Sequence, residues 1–208
     1  IDLKDPDEIL RTIELEELSY AFDGTDIFKG ISRVFSRGDK VVITGQSGSG
    51  KSTLLNVISG ALEAKGSVVL RTSSDNCYTP ESFSRYFGYV DQSFSLFDDT
   101  VRNNVTLWEK STNIDDKKIK ALLAEFSLSI DLNRNVNSLS GGQKQRIVWV
   151  RELLQSPKVL FVDEGTSALD KHATNQILSY LKAREDLTVF FVTHDDTDTT
   201  LFNKEIQL

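Results

Sequence analysis

The sequence predicts an α/β fold with a mostly parallel sheet, an N-terminal antiparallel β subdomain and an inserted helical subdomain. Three observations carry this. Residues 40–44 (KVVIT), 158–162 (KVLFV) and 188–193 (TVFFVT) are short, β-branched and almost continuously apolar, as strands covered on both faces of a parallel sheet are. Residues 12–20 (TIELEELSY) and 67–71 (SVVLR) alternate better, which fits a half-exposed antiparallel sheet. Between residues 93 and 157 the pattern turns helical and interrupts the strands.

Helices are expected at 51–60, 115–127, 143–155 and 172–184. The last two place Ile147, Val150 and Leu154, then Ile177, Leu178 and Leu181, near a 3.6-residue period with charges elsewhere. Residues 1–92 and 158–208 form the expected core with its β subdomain, and about 93–157 the helical insertion. A chain of 208 residues and 23.3 kDa suits one such domain.

Composition excludes several roles. A net charge of −7 and a pI near 4.9 argue against nucleic acid as the main partner, since phosphate binding needs a basic face. The lone Cys77 allows no internal disulfide and fits a reducing compartment. The longest apolar runs, VLFV and LTVFFV, fall far short of the roughly 20 residues that cross a bilayer. The opening IDLKDPDEIL is acidic and has no apolar signal region. No methionine occurs, which suggests a piece of a longer chain or the loss of modified methionines.

Chemistry is concentrated in a few stretches. GQSGSGKST follows the strand at 40–44 and opens a helix. Gly45, Gln46, Ser47, Gly48, Ser49, Gly50, Lys51, Ser52 and Thr53 satisfy G-x-x-x-x-G-K-[ST], so the core is read as that of a P-loop NTPase. Its backbone N–H groups would cradle phosphates, Lys51 would reach the β- and γ-phosphates, and Ser52 would ligate Mg²⁺. KVLFVDE ends a buried strand in two carboxylates: Asp163 is placed to hold the metal and Glu164 to orient or deprotonate a water. These two motifs leave GTPase, kinase, helicase and transport ATPase open, although no N-K-x-D string reads guanine.

LSGGQKQR (139–146) decides among them. Taken with the P-loop, VDE and a later histidine, it resembles the signature of ATP-binding cassette (ABC) ATPases, and the resemblance covers nearly the whole chain in order. It implies MgATP held between two such domains, head to tail. Ser140, Gly141, Gly142 and Gln143 of one would cap the γ-phosphate on the P-loop of the other. Gln92 in GYVDQSFSLF resembles the glutamine that contacts Mg²⁺ and water on a loop facing the membrane partner. Asp170 in SALD resembles the aspartate that crosses the dimer interface. His194 in FFVTHDD resembles the histidine that bonds the γ-phosphate. The family stacks adenine on an aromatic ahead of the P-loop. LSYAFDG offers Tyr20 and Phe22, and the family pattern favours Phe22; stacking on Tyr20, or core packing of both, stays open.

SLFDDTVRNNV (95–105) resembles exporters whose ATPase follows a membrane-spanning half on the same chain; DLKDPDEI would then be the linker. Such exporters often carry T-E-x-G-x-x-G before the signature, where this chain reads IDLNRNVNSLSGG. The resemblance thus implies a transporter ATPase at the cytoplasmic face of a membrane, with export the preferred direction. An importer ATPase and a soluble ABC ATPase are the alternatives. Only 88 residues separate Lys51 from Ser140, too few for the long coiled coil of the DNA-repair type.

Overall fold

The computed structural model describes residues 8–91, 93, 95–108, 114–193 and 201–208. In chain order the elements are β1 (Leu10–Phe22), β2 (Thr25–Ser36), β3 (Lys40–Thr44), α1 (Lys51–Ile58), β4 (Lys65–Thr72), β5 (Cys77–Tyr78), α2 (Pro80–Phe83) and β6 (Phe87–Asp91). There follow α3 (Val101–Thr106), α4 (Asp116–Glu125), α5 (Gly141–Leu154), β7 (Val159–Asp163), α6 (Lys171–Ala183), β8 (Thr188–Val192) and β9 (Lys204–Gln207).

Among the described residues, one sheet runs β2-β1-β4-β5 with antiparallel neighbours; the other runs β6-β7-β8-β3-β9 with parallel ones. Strand alternation divides the parallel sheet between two cores. Val41, Ile43, Phe161 and Phe190 join α1 and the antiparallel sheet. Leu160, Val162, Val189 and Phe191 join α3, α4, α5 and α6. Both faces are therefore dry, which is why these strands read as unbroken apolar runs. Phe161 stacks on Phe190 at 5.6 Å and meets Phe87 edge-on at 5.1 Å. Truncation of such a buried ring to alanine costs about 3–5 kcal/mol. The second core is continuous from the expected helical insertion into the sheet.

The five expected strands and four expected helices are present. The reading missed β2, β5, β6, β9 and the short α2 and α3. It also placed the start of α5 two residues late. Ser140 is the N-cap, and the two glycines form the first turn.

The chain enters the fold through a buried carboxylate. Glu8 accepts from the Thr72 hydroxyl, from Asn76 Nδ2 at 2.6 Å and from the Tyr78 hydroxyl at 2.7 Å. Those donors, the Thr72 hydroxyl foremost, hold its carboxyl below the usual glutamate range.

Candidate active site

Parallel pairing brings the chemistry to one edge. Asp91, Asp163 and Val192 lie abreast at the carboxyl ends of β6, β7 and β8, and Ile43 pairs with Val192 just before β3 runs into the loop. Open α/β sheets bind ligands in the crevice at this edge. Gln92 and His194 lie outside the described residues; the first follows Asp91 in sequence, the second Thr193.

The loop from Gly45 to Gly50 links β3 to α1. Gly50 caps the helix with φ 94°, and a Cβ there would stand 2.3 Å from Ile27 Cγ2. Only glycine meets both the left-handed backbone and the close contact. No side chain caps this helix. Its first turn offers the N–H groups of Lys51, Ser52 and Thr53, ahead of the first helical bond from Leu54 N to Gly50 O at 2.8 Å. Together with the helix's partial positive end they form an anion seat. Lys51 is buried, and its Nζ donates to the carbonyls of Gly45 at 3.0 Å and Gln46 at 2.9 Å. The ammonium is thereby pinned over the loop. Gln46, Ser47, Gly48 and Ser52 are exposed, Thr53 half-buried, and the buried Ser49 hydroxyl has no partner among the described residues.

Asp163 ends β7 half-buried, and its Oδ1 is buried without a partner among the described residues. An orphaned anionic oxygen is costly unless something positive meets it. No cluster of three or more His, Cys, Asp or Glu forms a metal cage among the described residues. One carboxylate plus the Ser52 hydroxyl and substrate phosphates is the hard, oxygen-only and incomplete donor set that suits Mg²⁺. Glu164 follows with φ 52°, its N–H bonded to Val192 O at 3.1 Å. That left-handed backbone turns the chain sharply out of the sheet.

The signature lies on α5. Ser140 Oγ accepts from Gln143 N at 3.3 Å, and Gln143 Oε1 accepts from Ser140 N at 3.0 Å, a complete capping box. Ser140 and Gly141 are exposed; Gly142 and Gln143 are half-buried. Asp170 caps α6, its Oδ1 accepting from Ala173 N at 2.8 Å. Near the sheet's antiparallel neighbour, Tyr20 and Phe22 part ways. Tyr20 stacks on Phe28 at 6.1 Å and packs on the core, whereas Phe22 is 67% exposed at the end of β1.

A family model described as ABC transporter matches residues 28–167. The chain belongs to the ABC transporter family.

This ABC domain is 34% identical over 203 residues to the probable iron export ATP-binding protein FetA of Escherichia coli (strain K12), covering 94% of this chain and 90% of that one. It is 33% identical over 202 residues to the spermidine/putrescine import ATP-binding protein PotA of Aliivibrio fischeri, covering 93% of this chain and 54% of the relative. It is 34% identical over 194 residues to the ATP-dependent lipid A-core flippase of Francisella novicida, spanning 88% of this chain and 33% of that protein. The fold matches a bacterial Atm1-family ABC exporter with ATP bound, at TM-score 0.82 and 23% identity over 99% of this chain and 39% of that one. The chain is thus an ATP-binding domain of an ATP-hydrolysing family whose members generally use Mg²⁺, work as dimers and serve transmembrane partners. Among the described residues no helix is long and apolar enough to cross a membrane.

Sequence reading missed how this ABC domain joins α5 to the turn after Glu164. Buried Gln145 accepts from Ala168 N at 3.0 Å, and buried Trp149 donates to Gly165 O at 2.8 Å. Gly142, Gln145 and Trp149 fall on one helical face, but nothing in that spacing names the backbone they reach.

Proposed function

We propose that this domain closes head to tail on a second copy or a paralogue around two MgATP and powers transport across a membrane, in the export direction. The observation that carries the dimer is the exposed, self-capped start of α5, a phosphate-reading helix end on the opposite motif from the P-loop. In this reading Ser140, Gly141, Gly142 and Gln143 cap the partner's nucleotide. Lys51 and the loop amides of residues 45–53 hold the phosphates of their own, and Phe22 stacks on adenine. Asp163, Ser52 and Gln92 are the metal's holders. When bound, Mg²⁺ supplies positive charge against the phosphate oxygens. Glu164 holds the attacking water and takes its proton, His194 bonds the terminal phosphate, and Asp170 reaches the dimer interface beside its capping role.

The membrane partner docks on the helical side. Phe97 and Trp108 stand 52% and 45% exposed with rings 5.0 Å apart, and Leu107 beside them is 47% exposed. Their loop is fixed beneath by Asp99, which accepts from Trp108 Nε1 at 2.9 Å, and by buried Asn104, which bonds both the N–H and the carbonyl of Phe97. The Thr100 backbone N–H and then the Asn103 amide hold the Asp99 carboxyl below its usual range. An exposed apolar patch on so rigid a base suits a protein partner. The iron-export and flippase relatives favour export. The flippase, of which this domain spans 33%, favours a transmembrane part upstream on the same chain, with the ATPase on the cytoplasmic face. The spermidine/putrescine relative keeps an importer ATPase as the second reading.

The test is gel filtration with MgATP. Glu164→Gln removes the negative charge but keeps the shape, so the protein binds ATP and accumulates as a dimer. Ser140→Arg added to it sets bulk on the signature and returns a monomer that still binds ATP. A trapped dimer that survives Ser140→Arg refutes the trans cap.

A further inference from the structure

The turn that carries Glu164 is fastened to the signature helix by three contacts on one helical face. Gly142 lies so near Ala168 that a Cβ would stand 3.2 Å from the Ala168 carbonyl oxygen. One turn on, Gln145 Oε1 accepts from Ala168 N at 3.0 Å. One turn further, Trp149 Nε1 donates to Gly165 O at 2.8 Å. Gly165 is itself wedged into the sheet: a Cβ there would stand 2.6 Å from Val90 Cγ1 and 2.8 Å from Val162 Cγ1. The backbone of residue 165 is thus gripped by the sheet on one side and by the indole on the other. Within the turn, Glu164 holds φ 52° and its carbonyl accepts from Ser167 N at 3.1 Å.

Two features point past packing. Gln145 and Trp149 are each 0% exposed, and Gln145 Nε2 has no partner among the described residues. Apolar side chains of like volume would fill this space without an orphaned donor. What they would not supply is two directional bonds to the backbone of a strained turn. Strain of this kind persists where the surroundings over-determine it.

We infer that Trp149 and Gln145 are positioning residues for Glu164, so that the helix whose start caps the partner's nucleotide also sets its own subunit's catalytic carboxylate. This rests on the head-to-tail reading for the role of the helix start, though not for the three contacts. A shift of α5 as Ser140 seats is carried to residues 164–168 through side chains with no slack.

Trp149→Phe keeps a ring in the slot and removes only the N–H. Expected are a turnover number about tenfold lower with KM and nucleotide affinity within about twofold, and an undiminished ATP-trapped dimer in the Glu164→Gln background. Equal falls in affinity, dimer and unfolding midpoint would mean a packing role and overturn the inference, as would unchanged turnover. Native-state hydrogen exchange on the unaltered chain gives a second arm that no folding failure can block. The Ala168 amide should open with the Ile147 amide of α5, their protection agreeing within about tenfold. Ala168 exchanging about a hundredfold faster would show a turn that moves without the helix and overturn the inference. The two readings fail separately. Loss of the Glu164→Gln dimer with a selective Trp149→Phe defect sinks the trans cap alone; a trapped dimer with normal Trp149→Phe turnover sinks the positioning alone.

Discussion

Two helices in this molecule start in glycine-rich sequence, and they start in opposite ways. α1 begins after Gly50, in a left-handed conformation and with no side chain on its amides. α5 begins after Ser140, whose hydroxyl and Gln143 complete a capping box. The first leaves the N–H groups of Lys51, Ser52 and Thr53 to a ligand; the second satisfies part of its own need and leaves Gly141 and Gly142. An uncapped start is marginal without an anion, while a capped one stands alone and reads an anion weakly. In the proposed function the open start holds nucleotide in the monomer, and the capped one releases it after each turnover.

The largest expected effect tests the open start. Lys51→Ala removes the buried ammonium pinned at Gly45 and Gln46. Loss of a charge-assisted contact to phosphate of about 3 kcal/mol weakens ATP binding roughly a hundredfold. Calorimetric titration checks this, and affinity within a few-fold of the parent removes Lys51 from the site.

Next is the backbone of the same loop. Gly50→Ala places a Cβ at φ 94° against Ile27, and the strain plus the contact lowers stability by about 2 kcal/mol. Urea unfolding reads it directly. An unchanged midpoint would mean that the loop relaxes at no cost and that its glycine is dispensable.

The sequence made the open start legible and the capped one only half so. G-x-x-x-x-G-K-[ST] after an apolar strand fixes loop, helix and lysine together, because each residue answers a local demand of phosphate binding. KVVIT, KVLFV and TVFFVT were readable because both their faces are buried. β2 was not, since TDIFKGISRVFS buries only Phe28 and Phe35 along an edge. Its one clear signal was the Asp23–Gly24 turn before it, both residues at positive φ. At α5 the Ser140–Gln143 spacing already described a cap, two residues ahead of the expected helix start. The bonds from Gln145 and Trp149 reach backbone 23 and 16 residues away, and no local pattern encodes them.

Ser140→Ala gives the third effect, on the capped start. It removes the acceptor for Gln143 N and costs about 1 kcal/mol of stability. Because α1 is untouched, ATP affinity of the monomer stays as it was, while the ATP-trapped dimer of Glu164→Gln is lost. Circular dichroism melts and gel filtration separate the two. A dimer that persists would make the hydroxyl a cap and nothing more.

The smallest effect is the sharpest for the comparison, because its two readouts move in opposite directions. Gln143→Glu preserves the side-chain oxygen that accepts from Ser140 N, so the capping box survives. It adds a negative charge in the first turn of α5, where no acidic residue stands. Against the helix's partial positive end that charge is worth about 0.5 kcal/mol of added stability. Against the partner's phosphates it repels. The variant should therefore melt slightly later than its parent and yet form less of the ATP-trapped dimer, with the loss relieved as salt screens the charge. The midpoint should rise by about 1–2 °C, which calorimetry reads directly. Higher stability with an equal or stronger dimer would show that α5 meets no phosphate at its start, and the two glycine-rich helix starts would then share sequence without sharing a ligand.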